Sequence, residues 1–173
     1  MADVAIRKPA LAGRLGGSAT VRLTTAPAAS RVALRAPAES LAALSSALGL
    51  SVPTAPKTSG RAGARSVLWI GPDEWLAIDE DGADLMTVLS GVGAVHSATD
   101  VSHRNLAIIV SGPGAETTLS AGCPQDLSLS SFPVGAASRT VFGKAEIVLF
   151  RTEEDTFRVE CWRSFSDYVF GLL

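Results

Sequence analysis

The sequence predicts an α+β fold made of two fused ferredoxin-like halves, each a split βαβ arrangement. Three observations predict it. Over residues 31–101, apolar alternation and helical periodicity follow the order strand, helix, strand, strand, helix, strand. The same order starts again after residue 102. In both halves, at 32–41 and 109–119, a strand leads through a proline into an Ala-Glu helix start. The halves are therefore interpreted as degenerate copies of one unit.

The first half begins with alternating polar and apolar residues at 31–35, the pattern of a half-buried strand. Pro37 opens a helix with a leucine at every third or fourth position, and Gly49 ends it. Residues 51–65 are rich in Pro, Gly and Ser and are predicted to form a loop.

Two further strands, at 67–70 and 75–78, flank a Gly-Pro-Asp-Glu segment that suits a type I hairpin turn. The apolar spacing over 85–92 predicts an amphipathic helix, and the acidic residues before it suit the helix dipole. A strand at 94–101 closes the first half.

The second half shows the same alternation of elements. We predict strands at 106–110, 140–142, 145–151 and 156–162, with helices over 113–121 and 165–172. The last helix carries Phe165, Tyr168, Val169 and Leu172 at helical spacing, and Ser164 with Asp167 forms a capping-box pattern at its start. This half lacks a closing strand. We predict that a short strand at 20–23 takes that place.

Length and composition indicate one domain. The chain has 173 residues, of which 47% are hydrophobic and 18% charged, so it can bury a sizeable core. This excludes a disordered protein and a coiled coil. Residues 1–18 are expected to form an extended basic arm. Residues 19–173 are expected to form a single α+β domain with halves at about 30–102 and 103–173.

The net charge of −2 argues against a general nucleic-acid binder. It hides an asymmetry, since residues 1–65 hold nine bases and two acids, whereas residues 66–173 hold six bases and fifteen acids. The basic segment either pairs with the acidic body within one fold or docks on a partner. We favour docking for the first two dozen residues and expect Arg31 and Arg35 to lie on ordinary strand surface.

Two cysteines and two histidines are too few for a disulfide framework or a zinc finger. Cys123 and Cys161 are interpreted as small core hydrophobes. Charged residues interrupt the N-terminus, so we expect no secretory leader. No segment has the length and apolarity of a membrane span. We therefore expect a cytoplasmic protein that does not bind membranes.

No catalytic site is predicted. Asp, Ser and His within 100–104 evoke a catalytic triad, but neighbouring strand residues point to opposite faces, and a triad converges from separate elements. Asp100 and Ser102 are instead expected to satisfy a turn, leaving His103 and Arg104 exposed to an anion or a partner. The Gly-rich segment at 111–114 lacks the Lys-Ser/Thr of a phosphate loop and is expected to be a strand-to-helix turn.

A series of motifs follows one order along the chain: 68–76 (LWIGPDEWL), 100–104 (DVSHR), 110–115 (VSGPGA), 122–127 (GCPQDL), 132–133 (FP), 139–140 (RT), 144–146 (KAE) and 159–168 (VECWRSFSDY). As a set they resemble the gamma subunits of heterotetrameric sarcosine oxidases, over about 66–173. The region 100–115 also resembles the folate-binding domain of glycine-cleavage aminomethyltransferases. That family carries an acidic pair where this chain has Ala145 and Glu146, and we expect this chain to lack the C-terminal barrel of that family.

The resemblance implies a gamma subunit that works with alpha, beta and delta subunits. The complex would oxidise sarcosine to glycine, form hydrogen peroxide and pass the one-carbon unit to tetrahydrofolate as 5,10-methylenetetrahydrofolate. The resemblance places FAD, FMN, NAD, tetrahydrofolate and zinc on the other subunits, so this chain would bind no cofactor or metal and serve a structural role.

The bases expected to contact the other subunits are Arg7, Lys8, Arg14, Arg22, His103, Arg104, Arg139 and Arg163. Two alternatives remain open. The first is a stand-alone folate-dependent one-carbon-transfer protein with Glu146 near the pterin. The second is a regulatory binding module that uses the basic arm on an acidic partner.

Overall fold

Residues 10–173, described by a computed structural model, form strands and short helices in alternation. The strands are β1 Leu15–Gly17, β2 Arg22–Thr25, β3 Ser30–Arg35, β4 Ser59–Ala62, β5 Arg65–Gly71, β6 Glu74–Asp79, β7 Ser97–Asp100, β8 Asn105–Ser111, β9 Ala137–Phe142, β10 Ala145–Glu153 and β11 Thr156–Trp162. The α-helices are α1 Leu41–Leu48, α2 Leu85–Ser90, α3 Ala115–Ser120 and α4 Ser166–Leu172, and 3-10 turns precede α1 (Ala38–Ser40) and α4 (Arg163–Phe165).

The strands form two antiparallel sheets with matching topology. The first-half sheet has the order β4-β5-β6-β3-β7, and the second-half sheet has the order β1-β2-β8-β11-β10-β9. Within each sheet, four strands follow the split βαβ order, and the strand before the central hairpin (β4 or β9) is added at one edge. The predicted α+β fold of two ferredoxin-like halves is confirmed.

The strand that closes the second half comes from the N-terminal part of the chain. β2 pairs antiparallel with β8, with Leu23 opposite Val110. It occupies the position that β7 holds beside β3 in the other sheet. Val21 and Leu23 are buried on one side of β2, while Arg22 between them is exposed. The prediction that a strand near 20–23 completes this sheet is therefore confirmed, two residues further along the chain.

The two sheets face each other, and the helices cover their outer faces. Along β6, Trp75 and Ala77 belong to a core cluster with residues of α1 and α2, whereas Leu76 and Ile78 belong to a cluster with Ala137 and Phe150 of the other sheet. A third cluster joins the second-half sheet to α3 and α4. Each sheet is therefore covered on both faces, which determines where its polar residues can lie.

The helices begin and end close to the predicted residues. Gly49 follows α1 with a φ of 70°, a left-handed conformation that favours glycine. At the start of α2, the Asp84 carboxylate accepts a hydrogen bond from the Thr87 amide at 3.0 Å. No helix within the described residues is long and apolar enough to cross a membrane.

Three local predictions were wrong. β4 lies within the predicted loop 51–65, since an edge strand bonded through its backbone to β5 needs no apolar alternation. β1 lies within the predicted arm and pairs with β2. Ser164 does not cap α4; it lies in a 3-10 turn, and the Asp167 carboxylate instead contacts Arg14.

Asp126, in the segment between α3 and β9, is expected to make stability dependent on acid. Hydrogen bonds from the hydroxyl of Ser131 and the amide of Ser128 lower the pKa of Asp126 to about 2. Since an unfolded aspartate titrates near pH ~3.9, this contribution is present above that pH and is lost as the pH falls towards the folded pKa. Asp126→Asn is expected to lower the midpoint of thermal unfolding at pH 7, with a difference from wild type that shrinks below about pH 4. Asp81→Asn, at an exposed site, is the matched control, and a difference independent of pH would contradict the assignment.

Candidate functional site

A cleft of about 310 Å³ opens between the two sheets. Its polar lining comes from both halves, and the charged residues are Arg35, Glu74, Arg104, Arg139, Glu146 and Glu160. Trp162 adds aromatic surface, whereas Trp75 takes part in the lining from β6 with its ring packed against the helices on the other face of the sheet. The cleft is lined by both halves, and its volume lies at the lower end of the range for small-molecule sites.

Ion pairs bridge the mouth of the cleft. The Glu74 carboxylate lies 2.9 Å from Nη1 of Arg139 and 3.5 Å from Nε of Arg35. Arg35 also donates to Asp73 at 2.8 Å. Because Arg139 is on β9 and Glu74 is on β6, this arrangement connects the two sheets. The half-exposed side chains make these contacts individually weak.

The floor of the cleft is a buried charge network. One Glu160 oxygen accepts from Nε of Arg31 at 2.7 Å, and the other accepts from Nε of Arg158 at 2.8 Å. Arg158 also contacts Glu80 at 3.0 Å. The expectation that Arg31 lies on ordinary strand surface is wrong, because Arg31 is only 2% exposed and faces the other sheet. Arg35, further along the same strand face, reaches solvent at the cleft mouth.

Part of the charge asymmetry of the chain is used within the fold. Four bases of the basic segment form ion pairs with acids of the acidic segment: Arg14 with Asp167, Arg31 with Glu160, Arg35 with Asp73 and Glu74, and Arg65 with Asp79. Of the two interpretations of the asymmetry, pairing within the fold and docking on a partner, the first therefore accounts for these four residues.

The segment 100–104 forms a turn, as the sequence predicts. The Ser102 amide donates to Asp100 at 2.8 Å, and the Arg31 amide donates to the Ser102 hydroxyl at 2.8 Å. Hydrogen bonds from the Ser102 hydroxyl and amide hold the pKa of Asp100 below its usual value. The carboxylate and hydroxyl are thus engaged in the turn, while His103 and Arg104 are exposed.

Four of the predicted interface bases lie together. Arg104 and Arg139 line the cleft, His103 precedes Arg104, and the Arg163 amide donates to the Arg104 carbonyl at 2.7 Å. The other predicted bases are elsewhere. Arg14 contacts Asp167 on α4 and lies 4.9 Å from the Phe170 ring centre, and Arg22 is exposed on β2. Arg7 and Lys8 lie outside the described residues.

An exposed apolar strip extends from the cleft along α4. It consists of Trp162, Phe165, Tyr168 and Leu172, which are 41%, 43%, 43% and 48% exposed. The sequence indicated Phe165, Tyr168, Val169 and Leu172 as one amphipathic stripe, but α4 buries Val169 and Phe170 instead. Helical spacing groups these residues on one face of the helix, but in a helix of two turns it does not show which face packs against the core.

Both cysteines are buried and unpaired with each other. Burial, with a further contribution from the Glu160 carboxylate, raises the pKa of the Cys161 thiol to about 12. We expect the native protein to be almost unreactive towards a thiol reagent at pH 8 and to react at both cysteines in guanidinium chloride. Fast labelling of Cys161 before unfolding would contradict its place in the core.

Among residues 10–173, no three His, Cys, Asp or Glu side chains lie close enough to hold a metal ion. The charged lining of the cleft consists instead of arginines and glutamates, with Trp162 beside them. Its charged groups connect β3, β6, β9 and β11, which makes it a junction between the halves.

Comparison with known proteins assigns the family. Residues 33–173 match the "Sarcosine oxidase, gamma subunit family". The chain belongs to this family. The resemblance identified in the sequence motifs is thereby confirmed, and the match covers both halves of the fold.

Curated relatives and solved structures agree with this assignment. Sarcosine oxidase subunit gamma of Corynebacterium sp. (strain P-1) is 33% identical over 86% of this chain and 76% of the relative. Sarcosine oxidase subunit gamma of Arthrobacter sp is 36% identical over 68% of this chain and 60% of the relative, so the chain spans less than two thirds of that protein. The structure of this chain is also similar to that of a chain of heterotetrameric sarcosine oxidase from Corynebacterium sp. U-96 in complex with pyrrole 2-carboxylate. The TM-score is 0.84 at 28% identity, and the match covers 94% of this chain and 86% of that chain.

A more distant similarity concerns the fold alone. Glycine cleavage system aminomethyltransferase T from Bartonella henselae has a TM-score of 0.67 at 12% identity, covering 89% of this chain and 45% of that chain. The expected aminomethyltransferase-like fold of this gamma family member is confirmed.

Proposed function

We propose that this chain is an accessory gamma subunit of a heterotetrameric sarcosine oxidase, packed against alpha, beta and delta subunits and without a catalytic site of its own. The observation that carries the proposal is the family match over residues 33–173. It is supported by the similarity, over most of both chains, to a chain of a heterotetrameric sarcosine oxidase.

In this proposal, the complex oxidises sarcosine to glycine in the cytoplasm, with formation of hydrogen peroxide and 5,10-methylenetetrahydrofolate. FAD, FMN, NAD, tetrahydrofolate and zinc belong to the other subunits. The engagement of the cleft's charged groups supports a structural role for this chain. Glu160 is held by two arginines, and Glu74 lies between two more. A group that must exchange protons or bind substrate cannot also serve as the shared counter-charge of two buried arginines without a large energetic cost.

A folate-binding function has one observation in its favour. Glu146 is exposed and lines the cleft, as the stand-alone one-carbon-transfer hypothesis requires. The neighbouring Ala145 is buried and supplies no second carboxylate, and Glu160 on the adjacent strand is engaged by Arg31 and Arg158. The side chains at this position therefore fit a pterin poorly, because only one free carboxylate is present. The accessory role is better supported.

Co-expression tests the proposal. An affinity tag is placed on the large subunit of the complex, and this chain is produced with and without the other three subunits. We expect it to co-purify in equal proportion with the tagged subunit. The purified chain alone is also titrated with tetrahydrofolate. A soluble chain that does not co-purify would overturn the subunit assignment, and tight folate binding with one-carbon transfer by the chain alone would favour the enzyme hypothesis.

A further inference from the structure

We propose that the apolar strip, together with the bases around it, is the docking surface for a neighbouring subunit that presents an apolar patch with carboxylates at its rim. This inference rests on the proposed function, because it requires the chain to work within a complex. It specifies which face of the chain is covered there and what chemistry covers it.

The strip is continuous. The rings of Trp162 and Phe165 have centroids 6.3 Å apart. Tyr168 and Leu172 follow on α4, and both pack closely against Gly143. A Cβ atom at Gly143 would lie 2.6 Å from the Tyr168 hydroxyl and 2.7 Å from a Leu172 methyl. The Tyr168 hydroxyl also accepts from the Lys144 amide at 3.2 Å. Aromatic residues in such a cluster are typical of the energetic centre of protein interfaces.

Positive charges surround the strip. Arg104 lies over the Trp162 ring, 5.0 Å from its centre, Arg163 follows Trp162 in the chain, and Lys144 lies beside Tyr168. Within residues 10–173, these three bases form no ion pair, as is also true of Arg22, Lys57 and Arg61, whereas the other seven bases do. A partner with carboxylates at the rim of an apolar patch would complement this surface.

This charge distribution disfavours a second copy of the chain. In a two-fold symmetric contact the same patch faces itself, so Arg104, Lys144 and Arg163 would face the same three bases of the second copy, and like charges across an interface are repulsive. A membrane surface is also disfavoured. α4 has only seven residues, whereas many helices that lie on membranes have about 20–30, and it carries the acidic Asp167 but no Lys or Arg.

The test is a competition for assembly. Tagged large subunit is co-expressed with the beta and delta subunits, and with wild-type and variant forms of this chain together. The ratio of the two forms in the purified complex is compared with their ratio in the lysate by mass spectrometry. One variant removes apolar surface (Phe165→Ser with Leu172→Ser), and another reverses charge (Arg104→Glu with Arg163→Glu). We expect each to be depleted at least about tenfold, in line with the loss of interface hot spots.

Matched controls change the same residue types elsewhere on the surface. Val95→Ser with Leu129→Ser removes exposed apolar side chains, and Lys57→Glu with Arg61→Glu reverses two exposed charges. Both controls are expected to enter the complex at the wild-type ratio. All variants are first compared with wild type by thermal unfolding, so that loss of folding is not read as loss of docking.

The outcomes separate this inference from the proposed function. If wild type does not enter a complex, both are overturned. If wild type enters and the strip and charge-reversal variants compete equally with it, the docking surface is overturned while the subunit assignment stands. A wild-type dimer that the strip variant converts to a monomer, or strip-dependent sedimentation with phosphatidylserine vesicles, would also overturn the proposed occupant.

Discussion

Replacing Glu160 with alanine is expected to lower the free energy of unfolding by about 3–5 kcal/mol, because it leaves two buried guanidinium groups without their shared counter-charge. Arg158 and Glu160 are 3% and 1% exposed, and each arginine Nε donates to one oxygen of this carboxylate. Arg158 retains its contact with Glu80, but Arg31 retains only the Ala29 carbonyl. Equilibrium unfolding in urea measures the loss.

Two controls isolate the cause. Glu146→Ala removes an exposed glutamate from the adjacent strand β10 and is expected to change the unfolding free energy by less than about 0.5 kcal/mol. The double variant Arg31→Met with Glu160→Leu removes one charge of each sign and fills the space with apolar groups, so it is expected to recover much of the loss. An E160A protein as stable as E146A would show that the arginines reach water in the folded state.

Much of the fold can be predicted because local patterns specify it. The alternation at 31–35, the Gly-Pro-Asp-Glu hairpin and the spacing over 85–92 give elements whose order defines the split βαβ unit. The missing strand of the second half indicates that some other segment must complete that sheet. β2 does so through backbone pairing with β8. Predictions of this kind succeed because an open edge beside a buried strand has to be satisfied.

The buried arginines could not be predicted in the same way. Alternation shows that Arg31 and Arg35 share one strand face, but it does not show what covers that face. Here the other sheet covers Arg31 and leaves Arg35 at the cleft mouth. The cost of burying the Arg31 charge is offset by the carboxylate of Glu160, which lies 129 residues further along the chain.

The positions of the predicted contact bases could be found in the sequence, but not their arrangement in space. Arg104, Arg139 and Arg163 were predicted to contact the other subunits, and the structure brings them to one region. Phe165, Tyr168 and Leu172 were predicted to share one amphipathic stripe with Val169, because periodicity cannot distinguish a helix face that meets the sheet from one that meets solvent. The structure buries Val169 and Phe170 instead.

Arg151→Lys is the second substitution with a large expected effect, a loss of about 2–4 kcal/mol in the free energy of unfolding. Arg151 is 1% exposed and lies 4.6 Å from the centre of the Phe157 ring. Its guanidinium donates to the carbonyls of Leu127, Phe132 and Glu154 and to the Glu116 carboxylate. A lysine keeps the charge but has one donor nitrogen, which cannot reach acceptors spread around a planar fork.

The position of these acceptors explains why charge alone is not enough. Leu127 and Phe132 belong to the segment between α3 and β9, and Glu154 is in the β10–β11 turn, so Arg151 of β10 is bonded to the backbone of two other parts of the second half. Arg139→Lys, at a half-exposed residue that pairs with Glu74, is the matched control, with an expected change below about 0.5 kcal/mol. Equal losses for the two variants in urea unfolding would show that the carbonyls around Arg151 are solvated. A larger loss for Arg151→Lys, with Arg151→Met at least as unstable, would show that the geometry of the donors holds this half together.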